Sequence, residues 1–320
     1  TLDRSSAASD VYKRQVMYKY IFGPVLSRRF GLSLGIDLSP EKKSCNFDCL
    51  YCELEKAKPV DKIEKEPSPD DIIKEIQDYL SKNQYPDVIT TTANGEPTLY
   101  TRLNELIDKL NQIKGSSKTL ILSNGSTIND LTVREALKKF DIVKLSLDAA
   151  DQKTFEKIDR PLKGIKIDDI IKGMISFRKE YKGSLILEVL VVKHINDKKE
   201  VIEKIVEVAK KINPDRIDIS TVDRPPAYRV FPVDNQTLYE IAKMFEGLNV
   251  NVATRKAGGL VQKVHLDKED IIKTFKNRAY TENDIETLFD EETKKYISEL
   301  LSQNQLKIYS VANLKFIKAV

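Results

Sequence analysis

The chain has 320 residues, of which 41% are hydrophobic and 32% are charged, so it can bury the core of one barrel-sized domain with a small appendage. Its 53 basic and 49 acidic residues leave a net charge of +4, which does not by itself indicate nucleic-acid binding. No run of about 18 apolar residues occurs, which argues against a membrane-spanning helix.

The first sixteen residues do not resemble the rest of the chain. They carry basic charges but lack the apolar segment of a signal peptide. We interpret residues 1–16 as a non-native or disordered leader, with Met17 as the true start of the protein.

From Gly31 onward, apolar β-branched runs alternate with amphipathic helical patterns. The predicted strands are 33–39, 87–92, 118–125, 141–148, 184–193, 215–221 and 249–254. The predicted helices are 68–83, 101–113, 129–140, 167–181, 197–212 and 235–248. Six or seven strand–helix repeats indicate a parallel sheet with right-handed crossovers. The predicted fold is α/β, a partial (β/α)6-type parallel barrel over residues 17–262, with its functional residues in loops after the strands.

The pattern changes after the barrel. Segments 267–276 and 291–303 are predicted helices, Thr281 is a predicted helix cap, and 306–317 is a predicted hairpin. Helices followed by a terminal hairpin are typical of a small winged-helix-like domain, which we assign to 263–320. Its lysines suit contact with RNA or DNA, and they suit equally the solvated face of a dimerisation or capping domain.

All three cysteines of the chain lie within eight residues, at the spacing C-x3-C-x2-C. An odd number in one window argues against disulfides and for a reducing, cytoplasmic environment. Cys45, Cys49 and Cys52 are soft ligands that suit an iron–sulfur cluster or zinc. A structural zinc ion would need a fourth ligand, from His194, His265 or a carboxylate. A [4Fe–4S] cluster on three cysteines instead leaves one iron open.

This spacing, with Tyr51 just before the last cysteine, resembles the signature of the radical S-adenosylmethionine (SAM) superfamily. The resemblance implies that Cys45, Cys49 and Cys52 hold a [4Fe–4S] cluster whose open iron binds SAM. It implies reductive cleavage of SAM to methionine and a 5′-deoxyadenosyl radical, which abstracts hydrogen from a substrate. It also implies a reduced flavodoxin- or ferredoxin-like electron donor.

The loop after the second predicted strand, ANGEPTL (93–99), reads first as an ordinary turn. It resembles the Gly-Gly-Glu motif of the superfamily, with Asn94 in place of the first glycine. The resemblance implies that Gly95 and Glu96 contact the amino group of SAM.

Loops after the third, fourth and fifth predicted strands supply further candidates. The resemblance implies that Ser123 and Asn124 of LSNGS line the SAM pocket. Ser146 and Asp148 of LSLDAAD are polar where a covered strand should be apolar, and the resemblance implies contacts with the carboxylate or ribose of SAM. Asn196 is either the N-cap of the next helix or a SAM contact.

Three arginines are candidate substrate anchors, with solvated loop charges as the alternative. Arg28 and Arg29 lie in FGPVLSRRFGLSLGID and Arg224 lies in STVDRPPA. These segments, with CNFDCLYCEL and GEPTL, resemble Fe–S oxidoreductases related to the wybutosine-synthesis radical SAM enzymes. The resemblance implies an oxidoreductase, with RNA modification as one role, but gives neither the substrate nor a catalytic residue. The alternative is a non-catalytic zinc- or Fe–S-binding protein that binds nucleic acid.

Overall fold

The structure is a computed structural model that describes residues 18–27, 29–252, 263–311 and 314–320. The interpretation of residues 1–16 and the prediction for Arg28 lie outside the described residues. Among the helices that are described, none combines the length and the apolar character needed to cross a membrane.

An eight-stranded sheet forms the larger part of the described chain, with its strands paired in chain order. The strands are β1 (Ile21–Ser27), β2 (Gly31–Asp37), β3 (Val88–Thr92), β4 (Lys118–Ser123), β5 (Ile142–Ser146), β6 (Ser184–Val191), β7 (Arg216–Thr221) and β8 (Val250–Val252). β1 is antiparallel to β2, and all later neighbours are parallel. Within the described residues β1 and β8 do not pair, so the sheet is an open, partial barrel, as predicted.

Helices between the strands cover the outer face of this sheet. They are α1 (Pro69–Lys82), α2 (Leu103–Ile113), α3 (Leu131–Leu137), α4 (Gln152–Ile158), α5 (Ile167–Glu180), α6 (Lys199–Ile212) and α7 (Asn235–Met244). Val143 and Leu145 of β5 point outward and are fully buried. Ile202, Ile205 and Ala209 of α6 are buried at helical spacing, and all five belong to the main core.

Two elements of the barrel were not predicted from the sequence. β1 contains Gly23 and Pro24, which disfavour a central strand but are tolerated at the edge of a sheet. α4 has only seven residues, too few for helical periodicity to be distinctive. The predicted first strand, 33–39, is therefore the second strand, and the other predicted elements are present with ends shifted by a few residues.

The C-terminal segment forms a smaller assembly with its own core. Its elements are α8 (Lys268–Asn277), β9 (Tyr280–Thr281), α9 (Glu282–Leu288), α10 (Glu291–Ser302), β10 (Leu306–Val311) and β11 (Leu314–Ala319). The three strands form an antiparallel sheet in the order β10-β11-β9, which confirms the predicted hairpin. The predicted cap is also confirmed, because Thr281 and Asp284 form a reciprocal capping box. The winged-helix-like character and the boundary at residue 262 stay predictions.

Candidate active site

The cysteine loop, residues 43–53, follows β2 and is tied to the loop after β3. The Ser44 N–H donates to the Asn94 carbonyl at 2.8 Å, and the Glu96 N–H donates to the Ser44 carbonyl at 2.9 Å. The cysteine loop therefore lies at the carboxyl end of the sheet, where the barrel fold predicts functional residues.

All three thiols are free and partly buried. The Phe47 N–H lies 3.4 Å from the Cys45 sulfur, and the Lys43 Nζ lies 3.4 Å from the Cys52 sulfur. Burial raises the pKa of Cys45 to about 12 and the pKa of Cys49 well above its ordinary value. A cationic metal centre would supply the charge that buried thiolates need, and three thiolates on one loop fit an Fe–S cluster.

Gly95 packs directly against the cysteine loop. Its φ is +142°, and an added Cβ would lie 1.8 Å from the Ser44 carbonyl oxygen. Asp37, at the end of β2, accepts a hydrogen bond from the Asn94 N–H at 2.8 Å and so fixes the same turn. Two backbones meet here without room for a side chain, so the position requires glycine.

Glu96 is buried, and its carboxylate joins two loops. It accepts from the N–H and the hydroxyl of Thr98, at 3.0 and 2.6 Å. It also accepts from the Ser123 hydroxyl and the Asn124 N–H, both at 2.7 Å. Burial raises the pKa of Glu96, and these donors oppose the rise. Glu96 therefore positions Ser123 and Asn124, and its contact with the amino group of SAM stays a prediction.

Three predicted residues, Asn124, Ser146 and Asp148, line one small cavity together with Tyr51. The cavity measures about 10 Å³, which is room for about one water molecule. The Asn124 Nδ2 lies 4.0 Å from the Cys45 sulfur. The fold therefore gathers these side chains on one side of the cysteine loop.

Two buried acids, Asp148 and Asp159, also contact this loop. Asp148 accepts from the Tyr51 hydroxyl and from the Leu190 N–H, the latter at 2.7 Å. Asp159 lies 3.5 Å from the Cys49 sulfur and 3.4 Å from the Tyr51 hydroxyl. Burial raises the pKa of Asp148 to about 7 and that of Asp159 well above its ordinary value. The sequence analysis missed Asp159 and this role of Tyr51, although Tyr51 lies within the cysteine motif.

Asn196 is fully buried, and its side chain joins the loop after β5 to the end of β6. Its Oδ1 accepts from the Val192 N–H at 2.7 Å, and its Nδ2 donates to the Asp148 and Leu190 carbonyls, both at 2.9 Å. The helix-cap alternative is wrong, because Lys198 occupies the N-cap of α6. Since both amide hydrogens are engaged, the predicted SAM contact could use only the side-chain oxygen.

Inward-facing charges of three strands form a buried layer inside the barrel. The Lys144 Nζ lies 2.8 Å from a Glu188 oxygen and 3.3 Å from an Asp218 oxygen. Arg29, a predicted substrate anchor, joins the layer at 2.7 Å from Glu188, and Arg216 lies 2.9 Å from Asp218. The sequence analysis missed Lys144, Glu188 and Asp218. Their signal was a charge with an apolar residue on each side, once in each of three strands.

Arg224, the other described anchor candidate, lies beside the cysteine loop. Its Nη1 donates to the Glu53 carboxylate at 3.1 Å, and the Ala227 N–H donates to the Cys52 carbonyl at 2.7 Å. The Lys318 Nζ donates to the Glu53 carbonyl from β11. The loop after β7 and the C-terminal hairpin therefore both contact the cysteine loop.

Comparison with known proteins decides the family. The family model described as Radical SAM superfamily matches residues 43–209, more than half of the chain. The chain belongs to the radical SAM superfamily. A UPF0026 protein of Helicobacter pylori (strain J99) is 42% identical over 297 residues, which cover 92% of this chain and 96% of that protein.

A solved structure agrees with the fold of this radical SAM protein. A radical SAM methyltransferase from Sphaerobacter thermophilus matches with a TM-score of 0.55 and 12% identity, over 69% of this chain and 65% of that one. TYW1 with a lysine-pyruvate adduct bound is also similar, with a TM-score of 0.49 and 18% identity, over 72% of this chain and 76% of that one. The predicted α/β partial barrel is confirmed.

As a member of this superfamily, the protein is an enzyme that uses a [4Fe–4S] cluster and SAM, so the predicted family, enzyme class and cofactors are confirmed. Among the described residues, no three His, Cys, Asp or Glu side chains converge on one point suited to a single ion. A cluster binds its thiolates at separate irons, so the three sulfurs of the cysteine loop need not meet at one point. They are the residues that would hold the cluster.

Proposed function

We propose that this radical SAM enzyme holds its cluster through Cys45, Cys49 and Cys52, cleaves SAM reductively and abstracts hydrogen from a substrate at the mouth of the barrel. The observation that carries the proposal is one loop with three thiols, joined to the turn at Gly95 at the carboxyl end of the sheet. The bound cluster and SAM supply the radical chemistry. The chain supplies position and the exclusion of water.

The residues assigned to SAM binding are Gly95, Glu96, Ser123, Asn124, Ser146, Asp148 and Asn196. The turn at Gly95 offers backbone carbonyls, and a carboxylate lies next to it, both suitable acceptors for an ammonium group. Support for the others comes from the shared cavity of Asn124, Ser146 and Asp148. Ser123 and Asn196 are supported by their bonds to Glu96 and to the Asp148 carbonyl, which hold them beside the other assigned residues.

Arg28, Arg29 and Arg224 are the proposed substrate anchors. Arg29 belongs to the charged layer inside the barrel, and Arg224 lies beside the cysteine loop. A substrate that spans these two positions would lie across the open face of the barrel. The proposed electron donor is a reduced flavodoxin- or ferredoxin-like protein.

Anaerobic reconstitution of the full chain with iron and sulfide tests this function. We expect about four irons per chain, a brown colour with an absorption band at about 400 nm, and 5′-deoxyadenosine after addition of dithionite and SAM. Cys45→Ser, Cys49→Ser and Cys52→Ser should each lose the band and the product, whereas Ser81→Ala on the exposed face of α1 should retain both. A chain that binds one zinc without colour, or that loads iron yet forms no 5′-deoxyadenosine, would contradict the proposal.

RNA is the proposed macromolecular partner of the C-terminal segment. Lys295, Lys307 and Lys315 are exposed there, but Lys318 is turned toward Glu53. We expect a salt-dependent gel shift with RNA that weakens when the three exposed lysines are changed to glutamine. Lys172→Gln on the exposed face of α5 is the control. Equal binding by both variants would remove RNA from the proposal.

A further inference from the structure

Arg278 is a cation without an acidic partner in the described part of the chain. It follows α8, where its Nη1 donates to the Leu26 carbonyl at 3.2 Å. Its Nε is buried and, among the described residues, has no hydrogen-bond acceptor. A buried donor without an acceptor is costly, so Arg278 is poorly explained as a purely structural residue.

Tyr280 supplies a second buried donor two residues later. Its ring packs 4.6 Å from that of Phe275, and its side chain is fully buried. The guanidinium of Arg278 lies 5.2 Å from the centre of the Tyr280 ring. Within the described residues the Tyr280 hydroxyl has no hydrogen-bond partner. Two buried donors without partners, on side chains that stack on each other, indicate a place for an acceptor that the described residues do not provide.

This pair lies at the seam between the C-terminal segment and the cysteine loop, because Tyr280 of β9 pairs with Ile317 of β11 and the next residue, Lys318, donates to the Glu53 carbonyl. Burial and the nearby charge of Arg224 lower the pKa of Arg278 to about 10, even though Asp284 and Glu53 oppose the fall. Both acids already have partners, since Asp284 caps α9 and Glu53 accepts from Arg224. Among the described residues, therefore, no acidic side chain forms an ion pair with the Arg278 guanidinium.

We propose that Arg278 and Tyr280, together with Arg224, bind an oxyanion of the substrate, either a carboxylate or a phosphate group. Guanidinium N–H groups match the geometry of such oxyanions, and a tyrosine hydroxyl adds a further donor. The proposal rests on the proposed function, because it assigns the anion to the substrate of that reaction. It makes the C-terminal segment part of the substrate site, next to the cysteine that ends the motif.

Isothermal titration of the reconstituted full chain with inorganic phosphate, and separately with acetate, tests the site. We expect saturable binding of at least one of the two anions, and the stronger one identifies the class of oxyanion. Arg278→Gln should weaken it by about tenfold or more, since a hydrogen bond to a charged group is lost. Arg102→Gln, which removes an exposed arginine from α2's N-cap, should leave it unchanged.

Tyr280→Phe tests the same site even if Arg278→Gln fails to fold. It removes only an unpartnered hydroxyl, so the melting temperature should hold or rise while anion affinity falls several-fold. Equal anion binding by wild type and both variants, no anion binding by wild type, or loss of binding when SAM is saturating would overturn the proposal. Formation of 5′-deoxyadenosine without substrate is measured in parallel, so that failure of SAM cleavage is recognised separately.

Discussion

Substitution of Gly95 by alanine tests whether the cysteine loop depends on direct contact with the turn after β3. The new Cβ would lie 1.8 Å from the Ser44 carbonyl oxygen and 2.3 Å from the Ser44 carbonyl carbon. Ordinary contact begins at 3.4 Å, so the Ser44 oxygen would have to retreat by about 1.6 Å (3.4 − 1.8). Because Ser44 precedes Cys45, this shift would move the first proposed cluster ligand.

A second glycine provides a control for the cost of placing alanine at a positive φ. Gly164 also has a positive φ, +99°, but a Cβ added there meets nothing within 4 Å. Gly164→Ala should therefore cost only the strain of a left-handed backbone, about 1 kcal/mol. Gly95→Ala should cost that strain plus overpacking, about 2–4 kcal/mol in total.

Two measurements separate the stability of Gly95→Ala from its effect on the site. Urea unfolding of the two alanine variants gives the difference in the free energy of unfolding. Iron per chain after reconstitution reports the geometry of the cysteine loop, and we expect it to fall in Gly95→Ala and to stay at the wild-type level in Gly164→Ala. If both variants lost the same stability and bound the same iron, the contact would not position the loop.

Further predictions concern buried charges. Burial raises the pKa of Asp270 from 3.8 to about 6, so between these two pH values the folded protein holds a proton that the unfolded chain releases, and at higher pH the buried charge destabilises the fold. By urea unfolding, Asp270→Asn should therefore be more stable than wild type by about 3 kcal/mol at about pH 7 and by only about 1 kcal/mol at about pH 4.5; a pH-independent difference would contradict this. Lys144→Met removes a positive charge that offsets the buried carboxylates of Glu188 and Asp218, so the free energy of unfolding, measured in urea, should fall by about 3 kcal/mol. Lys139→Met breaks an exposed ion pair and should lower it by less than about 1 kcal/mol. Similar losses of stability in the two variants would show that the charges inside the barrel are as well solvated as the exposed pair.

Local patterns predicted most of the barrel, because the periodicity that distinguishes strands from helices is visible within a few residues. The apolar faces at Ile202, Ile205 and Ala209 repeat at helical spacing, and the same residues are buried. β1 escaped prediction because its Gly23 and Pro24 are acceptable only at an edge, and a single sequence does not say which strand is the edge.

For the candidate site, too, residues close together in the chain were predicted and long-range contacts were not. The three cysteines lie within eight residues, so the resemblance that implied the cluster, the cofactor chemistry and the family could be recognised from one short segment. The partners of Glu96 were not predictable, because Ser123 and Asn124 reach it only through the pairing of β3 with β4. Nor was the layer around Lys144, whose members come from separate strands.

The sequence by itself predicted the ligand chemistry of the cysteine loop and most of the order of strands and helices, because both depend on residues close together in the chain. Only the tertiary structure decided which distant groups meet that loop. Lys318 contacts Glu53 across 265 residues, and Arg278 contacts Leu26 across 252. Such contacts arise from the packing of the C-terminal segment against β1 and the cysteine loop, and no local pattern encodes that packing.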